Sequence, residues 1–245
     1  MTVFRPRRTF VPALAVLAAL FTAAGCGPAA PPQAGRAPEE AIVEPGQVSA
    51  SSQAVIVVLG DSLTAGLGVL TEESFPSRLQ YLFTAEGYDE VEIQNAGVSG
   101  DTTAGGLRRV QTVLAPNVKI AVVALGGNDA LRGLSATQTR DNLIAIINTF
   151  LESGVQVLLA GMEAPTNLGE DYRMAFRNAY SQIAADYRGR IRFIPFLLEG
   201  VGGVPALNQA DGIHPNVEGA QAVANHIYPT LRDLVDELPP APVSR

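Results

Sequence analysis

AVIVVLGDSLTAGLG, residues 54–68, joins an unbroken apolar run to a polar, glycine-rich turn. Its first seven residues are apolar without a break and end at Gly60. A short run of this kind is expected of a parallel strand buried on both faces. Four later runs read the same way: VEIQNAG at 91–97, VKIAVVALGG at 118–127, VQVLLAG at 155–161 and IRFIPF at 191–196. Longer amphipathic segments alternate with them at 73–86, 102–114, 137–152, 171–187 and 216–236. In the fourth of these, Tyr172, Ala175, Phe176, Ala179, Tyr180 and Ile183 recur at helical spacing. The alternation predicts a three-layer α/β/α sandwich around a parallel sheet, with no internal repeat. Ligand sites in such sheets lie at the carboxyl ends of the strands.

Four motifs sit at or near such ends or in a late loop: GDSLTAGLG at 60–68, NAGVSGDTT at 95–103, LGGND at 125–129 and DGIHPN at 211–216. Ser62 follows the first strand, where Gly60 and Asp61 allow a sharp turn that exposes the hydroxyl. A serine becomes a strong nucleophile only when an adjacent base removes its proton. By itself, a serine after a strand is more often a helix N-cap. The base is constrained by a short supply, since the chain holds two histidines. His226 falls inside the last helical segment, between Ala224 and Ile227, and reads as a packed or surface residue. His214 lies between Gly212 and Pro215, three residues after Asp211. That spacing suits a turn in which the carboxylate meets Nδ1 while Nε2 faces the serine. The same loop also caps the following helix, with Asn216 a good N-cap.

Acyl transfer builds negative charge on the carbonyl oxygen, and fixed N–H donors aimed there lower the barrier. Gly97 is the expected close-approaching amide, Asn128 the side-chain donor, and Ser62 the source of its own backbone N–H. Asp61, Asp101 and Asp129 lack a histidine spaced as Asp211 has, and read as loop and supporting residues. Loops 64–70, 131–134 and 162–170 are expected to shape a substrate pocket. Leu67, Leu131, Leu134 and Met162 in them suit an aliphatic or aromatic acyl group, or equally anchor the loops.

Together the four motifs resemble the SGNH, or GDSL-type, hydrolase superfamily, through Ser62, Gly97, Asn128 and His214. The strings NAGVSGDTTAGG, ALGGNDALRGL, VLLAGM and LNQADGIHPN are similar to the bacterial arylesterases and to the thioesterase I/lysophospholipase L1 group. The resemblance covers nearly all of residues 54–232. It implies a five-stranded, flavodoxin-like parallel sheet, a serine acyl-enzyme route on ester, thioester or lysolipid substrates, and neither metal nor cofactor. Histidine and cysteine are too sparse here for a ligand cluster. A carbohydrate O-deacetylase on the same scaffold and a non-catalytic binding lipoprotein stay open as alternatives.

The N-terminal region addresses location. Arg5, Arg7 and Arg8 precede an apolar run from Val11 to Ala24, then Ala23-Ala24-Gly25 leads into Cys26, the single cysteine. A basic stretch, an apolar stretch and small residues mark an export signal. The cysteine after them resembles a bacterial lipoprotein site, which implies cleavage after residue 25 and lipid on Cys26. Ala23 stands where such sites usually carry leucine, so an ordinary secretory peptide is the alternative. Arg7-Arg8 also resembles a twin-arginine signal. Residues 26–52, rich in proline, glycine, alanine and serine, read as a tether. The expected hydrolase domain spans 53–237, with a tail at 238–245.

The chain is 245 residues long, enough for one large domain, and carries a net charge of −7. Three of its 17 basic residues fall in the first 25, where there is no acid, leaving the rest at −10. So acidic a body argues against a nucleic-acid partner and against charge-driven membrane binding. Membrane contact is therefore expected only through the lipid anchor, outside the cytoplasm. The sequence does not fix the oligomeric state, and a monomer is the expectation.

Overall fold

The computed structural model describes residues 54–239. The expected export segment 1–25, Cys26 with the tether 26–52, and residues 240–245 of the tail lie outside the described residues. Five strands form one parallel sheet: β1 (Ala54–Gly60), β2 (Val91–Gly97), β3 (Val118–Ala124), β4 (Gln156–Ala160) and β5 (Arg192–Ile194). Their order is β2-β1-β3-β4-β5. The order explains the composition of the strands. β1, β3 and β4 are interior and almost wholly buried, so both faces demand apolar side chains. β2 and β5 are the edges, and there Glu92, Gln94 and Arg192 are admitted.

Seven helices follow the strands: α1 (Ser62–Ala65), α2 (Phe75–Ala85), α3 (Thr103–Arg109), α4 (Gly127–Leu131), α5 (Ala136–Glu152), α6 (Glu170–Asp186) and α7 (Val217–Asp236). α2 packs with α7, and α5 packs with both α3 and α6, which makes the two helical layers. Side chains such as Phe83, Phe150, Phe176 and Leu231 fill the core between layers and sheet without solvent contact. Asn216 caps α7 as expected, accepting from Gly219 N at 2.9 Å.

The expected elements are present, with differences at their ends. The strand expected over 118–127 stops at Ala124, because Gly126 takes φ 117° and turns the chain into α4. β5 is shorter than the run 191–196, since Pro195 has no N–H for a ladder. The helix expected over 102–114 ends at Arg109 and continues as a 3-10 turn, Val110–Val113. An apolar pattern does not separate the two forms, as both bring residues i and i+3 to one side. Leu238 packs on the core, one residue beyond the domain limit expected at 237.

Connections leave β1 toward β2 on one side, while β3 lies on the other. A crevice opens outside the carboxyl ends of β1 and β3, where the strand order reverses. Two interactions fix its floor. The Arg109 guanidinium donates to Gly60 O and Ala96 O, both at 2.8 Å, and to Asp101 Oδ2 at 2.7 Å, joining the ends of β1 and β2 to the loop beyond them. The buried Tyr180 hydroxyl donates to Leu125 O at 2.7 Å, holding the end of β3 to α6. Tyr180→Phe strands that carbonyl, and unfolding free energy is expected to fall by about 1–3 kcal/mol. Equilibrium denaturation checks this, and an unchanged midpoint would show that the bond contributes nothing there.

Candidate active site

Ser62 opens α1 two residues beyond β1. Asp61 caps the helix through Oδ1, which accepts from Leu63 N at 3.0 Å, so the turn sets the serine on the crevice floor. The His214 side chain arrives from the loop before α7. Gly212, at φ 68°, sharpens that loop, and an antiparallel bridge of Asn208 to Pro215 closes it. Asp211 Oδ1 accepts from the Ile213 and His214 amides at 2.9 and 3.0 Å. Its Oδ2 lies 2.6 Å from His214 Nδ1, and His214 Nε2 lies 2.9 Å from Ser62 Oγ. With a carboxylate at Nδ1, the tautomer that leaves Nε2 free to accept the serine proton is favoured. The hydrogen bonds from His214 and Ile213 hold the Asp211 carboxyl down at about 2. Ser62, Asp211 and His214 thus form one continuous hydrogen-bonded chain, a geometry suited to moving a proton off a serine.

A cleft of about 680 Å³ opens beside Ser62 and His214. Its walls include Leu67, Leu131, Met162, Pro165, Phe196 and Ile213. Segments 64–70, 131–134 and 162–170 therefore contribute as expected. Leu134 does not line the cleft; it is exposed, and its carbonyl accepts from Tyr172 Oη at 2.7 Å. The stretch from Phe196 to Gly203 is a wall that the sequence reading missed. His226 is not among the residues lining the cleft; its ring N–H donates to Phe196 O at 3.1 Å.

Asn128 comes from the first turn of α4 and lines the cleft. Its Nδ2 donates to Asp61 Oδ2 at 3.2 Å, which leaves one amide hydrogen free for another acceptor. The structure separates Gly97 from this group. Gly97 pairs in register with Gly60 at the strand ends, and its N–H donates to Asn95 Oδ1 at 3.0 Å. A Cβ at Gly97 would stand 2.2 Å from Ala65 N, so the glycine there lets β2 pack against α1. Gly100, three residues further on, lines the cleft instead, and among the described hydrogen bonds its N–H has no protein acceptor. The motif NAGVSGDTT holds both glycines. The register with β1 is the signal that tells them apart, because Gly97 belongs to the sheet and Gly100 to the loop beyond it.

Asp129, buried behind the site, accepts from Thr103 N at 2.8 Å, Thr103 Oγ1 at 2.6 Å and Thr139 Oγ1 at 3.3 Å. It pins α4 to the starts of α3 and α5. Among the described residues no cluster of metal-ligating side chains is present.

Residues 58–222 match the model of the GDSL-like lipase/acylhydrolase family. The chain belongs to that family, the SGNH hydrolases. It is 41% identical over 187 residues to the esterase TesA of Pseudomonas aeruginosa, a match covering 76% of this chain and 91% of that protein. With the thioesterase 1/protease 1/lysophospholipase L1 of Escherichia coli it shares 31% identity over 188 residues, covering 76% and 88%. The crystal structure of AlinE4, an SGNH-hydrolase family esterase, matches with a TM-score of 0.61 at 40% identity, covering 77% of this chain and 98% of that one. This SGNH hydrolase is accordingly an enzyme that cleaves ester bonds, on a five-stranded parallel sheet.

Asp61 gives the SGNH hydrolase a pH signature in stability. The residue is 1% exposed, and burial raises its carboxyl from 3.8 to about 6, with the Leu63 and Asn128 hydrogen bonds opposing the rise. An acid with a higher pKa folded than unfolded binds its proton more tightly in the native state. Stability from this group therefore falls as pH rises from 3.8 to about 6, by about 3 kcal/mol at most, and is level above. Asp61→Asn removes the dependence. Unfolding free energies measured across pH 4–8 should show the variant gaining on the wild type up to about pH 6 and running parallel beyond. Curves parallel throughout would mean that Asp61 titrates at an ordinary value.

Proposed function

We propose that the enzyme is a serine esterase in which Ser62 is the nucleophile, His214 the general base and Asp211 the group that orients it. The observation that carries this reading is the hydrogen-bonded chain Ser62 Oγ–His214 Nε2 at 2.9 Å and His214 Nδ1–Asp211 Oδ2 at 2.6 Å, open to the cleft. His214 takes the hydroxyl proton as Ser62 Oγ bonds to the acyl carbon. The carbonyl oxygen gains the negative charge and is held by Ser62 N–H, Gly100 N–H and Asn128 Nδ2. Collapse of this tetrahedral species breaks the bond to the leaving alkoxide or thiolate, which receives the proton from His214. Water, deprotonated by His214, then attacks the acyl-enzyme and releases the carboxylic acid and free Ser62.

Gly100 replaces Gly97 in the expected donor set because its amide is free and at the cleft. The bond from Asp61 to one Asn128 hydrogen aims the other, and that fixed dipole is the kind of donor whose loss costs about 2.7–4 kcal/mol in the transition state. Apolar walls favour a substrate with an aliphatic or aromatic acyl group over an acetylated sugar, whose hydroxyls would find few partners there. The names of the relatives extend the candidates to thioesters and lysophospholipids.

Hydrolysis of a series of p-nitrophenyl esters, run beside acyl-CoA and a lysophospholipid, tests the assignment and ranks the substrates. Ser62→Ala and His214→Ala should each lose roughly 10⁴-fold or more in kcat, whereas His226→Ala remains active. Asn128→Ala should lose roughly 10²–10³-fold in kcat with little change in KM. Full activity in Ser62→Ala would move the nucleophile elsewhere.

For location we propose Cys26 as a lipid attachment site, on the strength of its place after the apolar run and Ala23-Ala24-Gly25. Cys26→Ser should then release active enzyme from the membrane fraction. Wild-type enzyme already free of the membrane would refute the anchor and leave the esterase reading untouched.

A further inference from the structure

The histidine and the serine proposed above belong to separate parts of the chain, and the reaction depends on how they are held together. Among the described residues, two hydrogen bonds join segment 60–75, which carries Ser62, to segment 205–216, which carries His214. One is the Ser62–His214 contact itself. The other is from Gln209 Nε2 to Leu67 O, at 2.7 Å. The rest of the His214 loop is tied backward: Asn208 Nδ2 donates to Val201 O and Val204 O, and Asn216 Nδ2 donates to Ala206 O.

Gln209 is bonded on both sides of the gap. Toward the base, its backbone N–H donates to His214 O at 2.8 Å, its carbonyl accepts from Gly212 N at 2.9 Å, and Nε2 donates to Pro215 O at 2.9 Å. Toward the nucleophile, Nε2 donates its second hydrogen to Leu67 O, and Leu67 N in turn donates to Ser62 O at 3.1 Å. Both side-chain partners are carbonyls, so the amide has one orientation that satisfies them, with nitrogen inward. Its oxygen occupies the space above Gly68. A Cβ on Gly68 would stand 2.1 Å from Gln209 Oε1 and push the amide aside, and at φ 83° a side chain there would be strained.

We propose that Gln209 is a positioning residue whose side-chain amide clamps the His214 loop to the segment following Ser62 and so sets the separation of Ser62 Oγ from His214 Nε2. This rests on the roles proposed for Ser62 and His214. The clamp runs parallel to the reacting hydrogen bond and persists when that bond breaks as the proton moves. A misplacement of about 1 Å between reacting groups is enough to cost on the order of 10²-fold in rate. Two donated hydrogens are what the clamp supplies, and a residue of the same size without them fills the space but leaves two carbonyls unbridged.

The test uses the full chain as wild type, Gln209→Met and Gln209→Glu, either of which serves if the other fails to fold. Three quantities are read: the rate of Ser62 labelling by a fluorophosphonate, kcat and KM on a short-chain p-nitrophenyl ester, and the unfolding midpoint. Both variants should label and turn over about 10- to 100-fold more slowly at pH 8, with KM changed little. Lowering the pH should raise the Gln209→Glu rate relative to Gln209→Met, because a protonated glutamate regains one donor for the two carbonyls. Labelling and kcat within twofold of wild type in either folded variant would overturn the clamp. An equal slowdown of both variants at every pH would also overturn it, since packing alone would then be the cause. A wild type that does not label fails the serine reading itself, a different outcome from a wild type that labels beside equally fast variants.

Discussion

The parallel pairing of β1 with β2 on one side and β3 on the other is the constraint from which the site follows. A strand hydrogen-bonded on both edges and covered on both faces has no polar side chain to spare, which is why Val55 to Leu59 are all apolar and essentially unexposed. Chemistry is therefore confined to the point where the strand stops. Because the connection after β1 runs to β2 on one side and the connection after β3 runs to β4 on the other, a crevice opens at that point. Ser62 stands at the end of β1 and Asn128 beyond the end of β3, a placement dictated by topology before any side chain is considered. Arg109 and Tyr180 then fix the strand ends against the loops and helices that face the crevice.

Asp61 and Asp211 show how environment divides the work of two carboxylates. Asp211 is close to solvent and accepts three hydrogen bonds, two from amides and one from the imidazole, which hold it ionised and the ring in place. Asp61 is buried beside Ser62, where desolvation opposes its charge and the hydrogen bonds from Leu63 and Asn128 compensate only in part. It caps α1 with one oxygen and orients Asn128 with the other. Burial of this carboxyl costs stability above about pH 6, and the arrangement it supports is a fixed amide facing the cleft.

Much of this was legible in the sequence, and for physical reasons. The interior strands were readable because burial on both faces forces continuous apolar runs, and Asp211 and His214 because a three-residue spacing can close a turn in only a few ways. Three things were not. Element ends depended on backbone events, such as the turn at Gly126, that hydrophobic pattern does not record. The sequence points to Gly97 and not to Gly100, because one motif holds both and only the register of Gly97 with Gly60 separates them. Gln209 carries no motif signature, since an amide between two carbonyls is recognisable only once the 66–68 and 209–215 segments are brought together.

In the proposed mechanism Ser62 becomes covalently acylated during turnover. The direct measurement is acid quenching of the enzyme while it hydrolyses a p-nitrophenyl ester, followed by intact-mass and peptide-mass analysis. The expected result is a mass increase equal to the acyl group, confined to the peptide containing Ser62 and absent from Ser62→Ala. An acyl group mapped to any other residue, or steady turnover by Ser62→Ala, would contradict it.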